Sequence, residues 1–319
     1  MRAAGRGAGR AAAAAAAVLL SGSVASRRQR GEVLADDSLV LKHALDRYQG
    51  CLVNDPASLP RTAEEFNEKL AHSLDVWRAE KRRGIWLTLS PETAGFVGEA
   101  IKKHGFELHS ADKDKLLLTK WLPGEEGVPN SLPAPASHYV GIGCLLLNST
   151  KDKMLVVQEK NGVLRGSGFY KIPTGTVEAG EDLASACVRE LKEETGIDAE
   201  VKGLVLFRHA TQFLNGNGDL FFVFLMKLPE RSQDQQIVIQ ESEIADAKWI
   251  PLEDYFGQSL APLWPAARVA YTKMNQTIKD ALDDPEGRVW QLYSYSEKDK
   301  SAIFSPPPPT PTPTPPRTR

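Results

Sequence analysis

GTVEAGEDLASACVRELKEETGI, residues 175–197, is the stretch on which the reading of this chain turns. Residues 183–195 have helix-forming composition with neither Pro nor Gly. Leu183, Ala184, Cys187 and Leu191 recur at spacings of one, three and four, which predicts one buried stripe. Arg189, Glu190, Glu193 and Glu194 fall off that stripe, and at about 3.6 residues per turn the three glutamates project from one side of the helix. Like charges at helical spacing disfavour one another by roughly 0.2–0.5 kcal/mol per pair, so an ordinary solvated face interleaves Lys or Arg. A bound divalent cation removes the conflict. Carboxylate oxygens with no His or Cys beside them favour Mg²⁺, with Mn²⁺ as a substitute, over Zn²⁺. Gly196 stands where a C-terminal glycine cap is expected.

Upstream, Phe169-Tyr170-Lys171-Ile172-Pro173 reads as a short strand. Thr174-Gly175-Thr176 reads as a loop whose glycine lets backbone come close to a ligand. The whole run is Gly175, five residues, Glu181, seven residues, Arg189-Glu190-Leu191, one residue, Glu193-Glu194, one residue, Gly196-Ile197. It resembles the Nudix box at each defining position. The resemblance implies hydrolysis of a nucleoside diphosphate linked to another group, with strand, loop and helix as the catalytic unit. It implies Glu190, Glu193 and Glu194 as metal ligands, the Gly175 carbonyl as a further one, and Glu181 paired with Arg189 to brace the loop. The competing reading of the same helix is a solvated acidic face with no ligand.

The chain of 319 residues is 42% apolar and 25% charged, ordinary values for soluble globular protein and length enough for two modest domains. A formal net charge of -2 gives no electrostatic case for nucleic-acid binding. No stretch reaches the roughly 20 apolar residues that span a bilayer, so no membrane partner is expected. Cys51, Cys144 and Cys187 form neither a CxxC pair nor an even disulfide framework, which predicts buried free thiols in a reducing compartment.

Residues 1–32 form a leader rich in Ala, Arg, Gly and Ser, with no acidic residue before Glu32. The composition is that of an organelle transit peptide, with a secretory signal and a plain disordered extension as competing readings. Residues 33–123 read as a small α/β unit. Strands are expected at 50–53 and 85–89, an amphipathic helix over 62–83 carrying Phe66, Leu70, Leu74 and Trp77, and a helix that begins at Ser90-Pro91 and ends near His104-Gly105. Leu108 and residues 116–121 supply further strands. Trp77, Trp86 and Trp121 read as core or interface aromatics rather than stacking platforms. Residues 124–136 are a Pro- and Gly-rich linker, and 137–285 hold the catalytic domain. Its strands are expected at 138–147, 154–158, 205–208 and 220–226, and its last helix at 261–282. Residues 286–319 are an extension ending in a Pro/Thr tail.

The segment 33–123 resembles the pre-Nudix domain of plant and animal Nudix hydrolases of the ADP-ribose/NADH pyrophosphatase type, through RGIWLTL and, later, PASHYVGIG. The expected fold is therefore an α/β/α Nudix sandwich with a mixed sheet, preceded by a small α/β domain. The resemblance implies Mg²⁺-dependent cleavage of ADP-ribose, and of NADH, with release of AMP. It also implies a homodimer and a cytoplasmic location, with chloroplast or mitochondrion as the alternative if residues 1–31 act as a transit peptide. A base on a late loop is common in such enzymes; Glu241 is the first candidate and Glu243 the second. Lys171 and Arg208 are candidates for phosphate or nucleoside contacts and Phe213 for stacking, with His209, Gln212 and Phe221 as weaker ones. The SQPWPFPxS motif of a dedicated NADH pyrophosphatase subgroup and the upstream signature of coenzyme A pyrophosphatases are both absent. Two alternatives stay open: a MutT-like nucleoside triphosphate hydrolase, and a non-catalytic binding protein.

Overall fold

In the computed structural model, which describes residues 37–123, 128–230, 235–296 and 301–305, the chain divides into two units, one ending at Pro133 and the other beginning at Ala134. The leader and the Pro/Thr tail lie largely outside the described residues.

In the first unit, α1 (Ala63–Ala79) starts where Thr62 Oγ1 accepts the Glu65 N–H at 3.2 Å. It connects β2 (Cys51–Val53) to β3 (Gly84–Leu89), which pair in parallel, as two strands joined by a helical crossover do. The other members are β1 (Ala44–Leu45), β4 (Glu107–Ala111) and β5 (Leu116–Trp121), in the order β1-β2-β3-β5-β4. Phe66, Leu70, Leu74 and Trp77 pack onto Cys51, Val53, Ile85, Leu87, Leu89 and Leu118, so the helical and strand periodicities share one core. The expected helix from Ser90 is broken in two. A 3₁₀ turn, Pro91–Phe96, whose Thr93 N–H donates to the Ser90 carbonyl three residues back at 3.0 Å, precedes α2 (Val97–His104). Gly105, at φ 65°, ends α2 in the left-handed region.

The second unit contains β6 (His138–Leu146), β7 (Lys153–Glu159), β8 (Thr174–Thr176), α3 (Leu183–Thr195), β9 (Glu200–Ala210), β10 (Gly218–Lys227) and β11 (Ile244–Pro251). These are followed by α4 (Leu252–Phe256), α5 (Pro265–Asp283), α6 (Pro285–Arg288), β12 (Trp290–Ser296) and β13 (Ser301–Ser305). The main sheet runs β13-β12-β9-β10-β6-β8, and β11 pairs with β7 apart from it. β10 and β6 are parallel and the other pairs antiparallel, so the sheet is mixed, as expected. Alternation along the strands makes two cores. Ile142, Cys144, Leu146, Phe224 and Met226 face Ala186, Cys187 and Leu191 of α3. Leu145, Val205, Val223 and Leu225 face Ile278 and Ala281 of α5. Helices therefore cover both faces of the sheet.

Two local expectations change. Residues 169–173 are not a strand; Lys171 alone bridges to Val157, and the strand is the next three residues, Thr174–Thr176, paired with Gly141–Gly143. Pro173 has no N–H to give to a ladder; its carbonyl accepts the Cys144 N–H at 2.9 Å, and the paired strand begins at Thr174. The extension, in which no strand is expected, supplies β12, which adds to the sheet through Trp290 opposite Leu204 and Gln291 opposite Gly203.

Candidate active site

α3 is fixed at both ends. Asp182, which the sequence reading passes over, caps it by accepting the N–H groups of Ala184 at 3.0 Å and Ser185 at 3.1 Å. Gly196, at φ 71°, closes it with its N–H on the Lys192 carbonyl at 2.8 Å. Between these caps the helix lies against β8, and the acidic side of α3 is stitched to the backbone of that strand. Glu190 Oε1 accepts the Thr176 N–H at 3.1 Å, and Glu194 Oε2 accepts the Thr174 N–H at 3.2 Å. Gly175 sits between those two anchors. A Cβ there would stand 1.8 Å from Glu190 Cδ, so the glycine is required by the space that the carboxylate fills.

Arg189 makes more contacts than the brace that the Nudix resemblance implies. Its Nε and Nη2 bind both oxygens of Glu181 at 2.8 Å, and Nη2 also donates to the Thr176 carbonyl at 3.0 Å. Nη1 reaches Glu190 at 2.9 Å and Glu193 at 3.1 Å. Those hydrogen bonds hold Glu181 below the usual carboxylate range and raise the guanidinium above its own. Glu190 and Glu194 behave oppositely. Burial raises Glu190 against the pull of Arg189, and burial pushes Glu194 up to about 7 while Lys171 pulls it down. Only Glu193 of the three is fully on the surface.

Among the described residues no three His, Cys, Asp or Glu side chains stand close enough together to hold a metal ion as they lie. Nη1 of Arg189 occupies the carboxylates of Glu190 and Glu193. The residues nevertheless fit a hard divalent cation in two respects. Every donor is a carboxylate oxygen, and burial raises Glu190 and Glu194 even though Arg189 and Lys171 pull them down, so a further positive charge beside them is favoured.

Lys171 lies beside this group, nearly buried, with its ammonium 2.6 Å from Glu159 Oε1 and 2.6 Å from Thr174 Oγ1. Glu241 and Glu243 are exposed on the turn that follows Gln240, whose N–H donates to the Glu194 carbonyl at 3.3 Å. Lys160 secures this turn through its N–H on the Glu243 carbonyl at 2.7 Å and its ammonium on the Glu241 carbonyl. The charge of Glu243 is among those that raise Glu194.

Arg208 and Phe213 stand apart from the helix. Arg208 pairs with buried Asp219 at 2.5 Å, and its guanidinium lies 5.6 Å from the centroid of the Phe221 ring. That ring covers Gly143, where a Cβ would come within 2.9 Å of it. Phe213 is exposed, edge-on to Tyr139 at 6.1 Å. Glu159 and Asp219, the partners of Lys171 and Arg208, are not marked by any sequence pattern.

Residues 41–122 match the model described as the Nudix hydrolase domain, and residues 137–274 the model described as the NUDIX domain. Nudix hydrolase 2 of Arabidopsis thaliana is 40% identical over 70% of this chain and 76% of its own length. Nudix hydrolase 10 of the same plant is 36% identical over 83% of this chain and 86% of its own. The human nucleoside diphosphate-linked moiety X motif 6 is 32% identical over 67% of this chain and 66% of its own. Among solved structures, a NUDIX hydrolase from Nitrosomonas europaea covers 51% of this chain and 99% of its own at 25% identity and a TM-score of 0.37.

Proposed function

The chain belongs to the Nudix hydrolase family, and from that premise we propose that it cleaves the diphosphate of nucleoside diphosphate derivatives, ADP-ribose and NADH foremost, releasing AMP. The observation that carries this reading is the acidic side of α3, with Glu190 and Glu194 tied to the Thr176 and Thr174 amides of β8. Glu190, Glu193 and Glu194 would hold Mg²⁺, with the Gly175 carbonyl as a further ligand. When bound, Mg²⁺ supplies positive charge against the diphosphate and acidifies water. Arg189, locked to Glu181, keeps strand and helix in register while its Nη1 yields Glu190 and Glu193. A base on the turn after Gln240 takes the proton of the attacking water, with Glu241 the first candidate and Glu243 the second. Lys171 sits close enough to the carboxylates to contact phosphate, Arg208 over the Phe221 ring suits the nucleoside side, and exposed Phe213 suits stacking on the base.

A unit that precedes the catalytic one supports a dinucleotide-like substrate over a nucleoside triphosphate, and we include a homodimer in the same reading. Purified protein with Mg²⁺ and a panel of ADP-ribose, NADH and nucleoside triphosphates tests the substrate assignment. AMP from the first two is expected; turnover of triphosphates alone would overturn it. Light scattering on the eluted protein reads the dimer.

A further inference from the structure

Away from the glutamates, two histidines from strands that are not neighbours meet on the surface. His138 opens β6 and His209 lies near the end of β9, with β10 between them. Register sets His138 opposite Gly218 and His209 opposite Leu220. Their Nε2 atoms are 2.8 Å apart, their ring centroids 4.9 Å, and both residues are exposed. Strands two places apart are separated by about 9.5 Å, so the two rings span that gap over β10. Gly218 provides the room. A Cβ there would stand 2.4 Å from Cδ2 and 2.5 Å from Nε2 of His138.

An exposed hydrogen bond between two rings contributes little in water, so it does not account for an arrangement that leaves β10 bare at that point. Ser137 Oγ lies 2.9 Å from His138 Nδ1. With the proton on Nδ1 donated to Ser137, the His138 Nε2 lone pair is turned toward His209. A hydrogen bond from the second ring nitrogen to an oxygen is what fixes the tautomer of a ligating histidine. Two imidazole nitrogens on one zinc ion, each at about 2.0–2.1 Å, stand roughly 3.0–3.4 Å apart, a few tenths of an ångström wider than here. The carboxylate next in sequence to Gly218, Asp219, is buried and held by Arg208, which leaves the nitrogens to define the chemistry.

We propose that His138 and His209 form a surface chelate for a borderline divalent transition-metal ion, Zn²⁺, Ni²⁺ or Cu²⁺, with water completing the coordination. Nitrogen donors separate it from the hard-oxygen set on α3, and a bound ion ties β6 to β9 across β10.

The test uses full-length protein without a histidine tag. Cu²⁺ added at one equivalent, with Mg²⁺ in excess, is read by electron paramagnetic resonance, and Zn²⁺ is titrated calorimetrically under the same Mg²⁺. Coupling to two nitrogens is expected, and His138→Ala or His209→Ala should each weaken Zn²⁺ binding by at least about tenfold. Circular dichroism checks the fold of each variant, with His→Gln at the same position as the replacement for any that fails. Gly218→Val, which drives the His138 ring away without removing a nitrogen, should weaken binding likewise. Zn²⁺ affinity unchanged in both histidine variants, or a Cu²⁺ spectrum with no nitrogen coupling, would overturn the site.

Discussion

Helices α1 and α3 are both amphipathic, acid-rich and capped, yet they place their acids in opposite ways. In α1, Glu64 and Glu65 occupy the first turn, where the helix dipole favours negative charge, and Glu65 pairs with Lys69 at 3.2 Å. Asp75 pairs with Arg78 at 2.8 Å, and these are solvated contacts of small worth. In α3, the acids Glu190, Glu193 and Glu194 stand in the second half, where the dipole disfavours them, and one arginine serves Glu190, Glu193 and Glu181. Glu194 is buried as well. Charges set against local electrostatics, on an otherwise well-formed helix, are what the proposed metal site on α3 accounts for.

The largest effect that separates the helices is on turnover. Outer-shell partners of a metal alone are worth about 10–100-fold, so Glu193→Gln or Glu194→Gln should cost at least about a hundredfold in kcat at saturating substrate and Mg²⁺, while Glu65→Gln on α1 leaves the rate unchanged. Near-normal turnover in either α3 variant would erase the distinction.

Glycines sharpen the contrast next. Gly175→Ala drives a Cβ into Glu190, whereas a Cβ on Gly98 of α2 meets nothing within 4 Å. Urea unfolding should show the first destabilised by about 1–3 kcal/mol and Gly98→Ala stabilised by about 0.4–1 kcal/mol. Equal effects at the two sites would mean that Glu190 is not held against β8.

The pH dependence has a definite sign. The folded-state pKa of Glu194, about 7, lies above its ordinary 4.5. The folded state therefore binds the extra proton, and this group's contribution is full below about 4.5 and lost as pH rises through 7. Metal-free Glu194→Gln should consequently exceed the wild type by about 1–3 kcal/mol at pH 8 and lose that advantage near pH 4.5. A wild-type advantage at pH 8 without metal would contradict the burial argument. The smallest contrast is between the caps. Asp182→Ala and Thr62→Ala should each cost about 1 kcal/mol in thermal or urea unfolding, but only the former should also lower turnover.

Much of this was legible because it is local. The span of α3, its Gly196 cap and the shared side of its three glutamates follow from residues within two or three turns of one another. What was not legible depends on distant partners. The displacement of the strand from 169–173 to Thr174–Thr176 is decided by Gly141–Gly143 of β6, about thirty residues earlier in the chain. The burial of Glu194 depends on β8 and the turn after Gln240. The engagement of Lys171 by Glu159, and of Arg208 by Asp219, depends on which strands pair. β12 is not legible because residues 286–319 read by composition as an extension, although Trp290 and Gln291 at its start pair with β9.

The acidic side of α3 is proposed to be a metal site assembled against β8. Calorimetric titration of Mn²⁺ into the metal-free protein, beside Glu190→Gln, Glu193→Gln and Glu194→Gln, tests it most directly. Binding in the wild type, weakened at least about tenfold in each variant, is the predicted result. Undiminished Mn²⁺ binding in all three variants would contradict it.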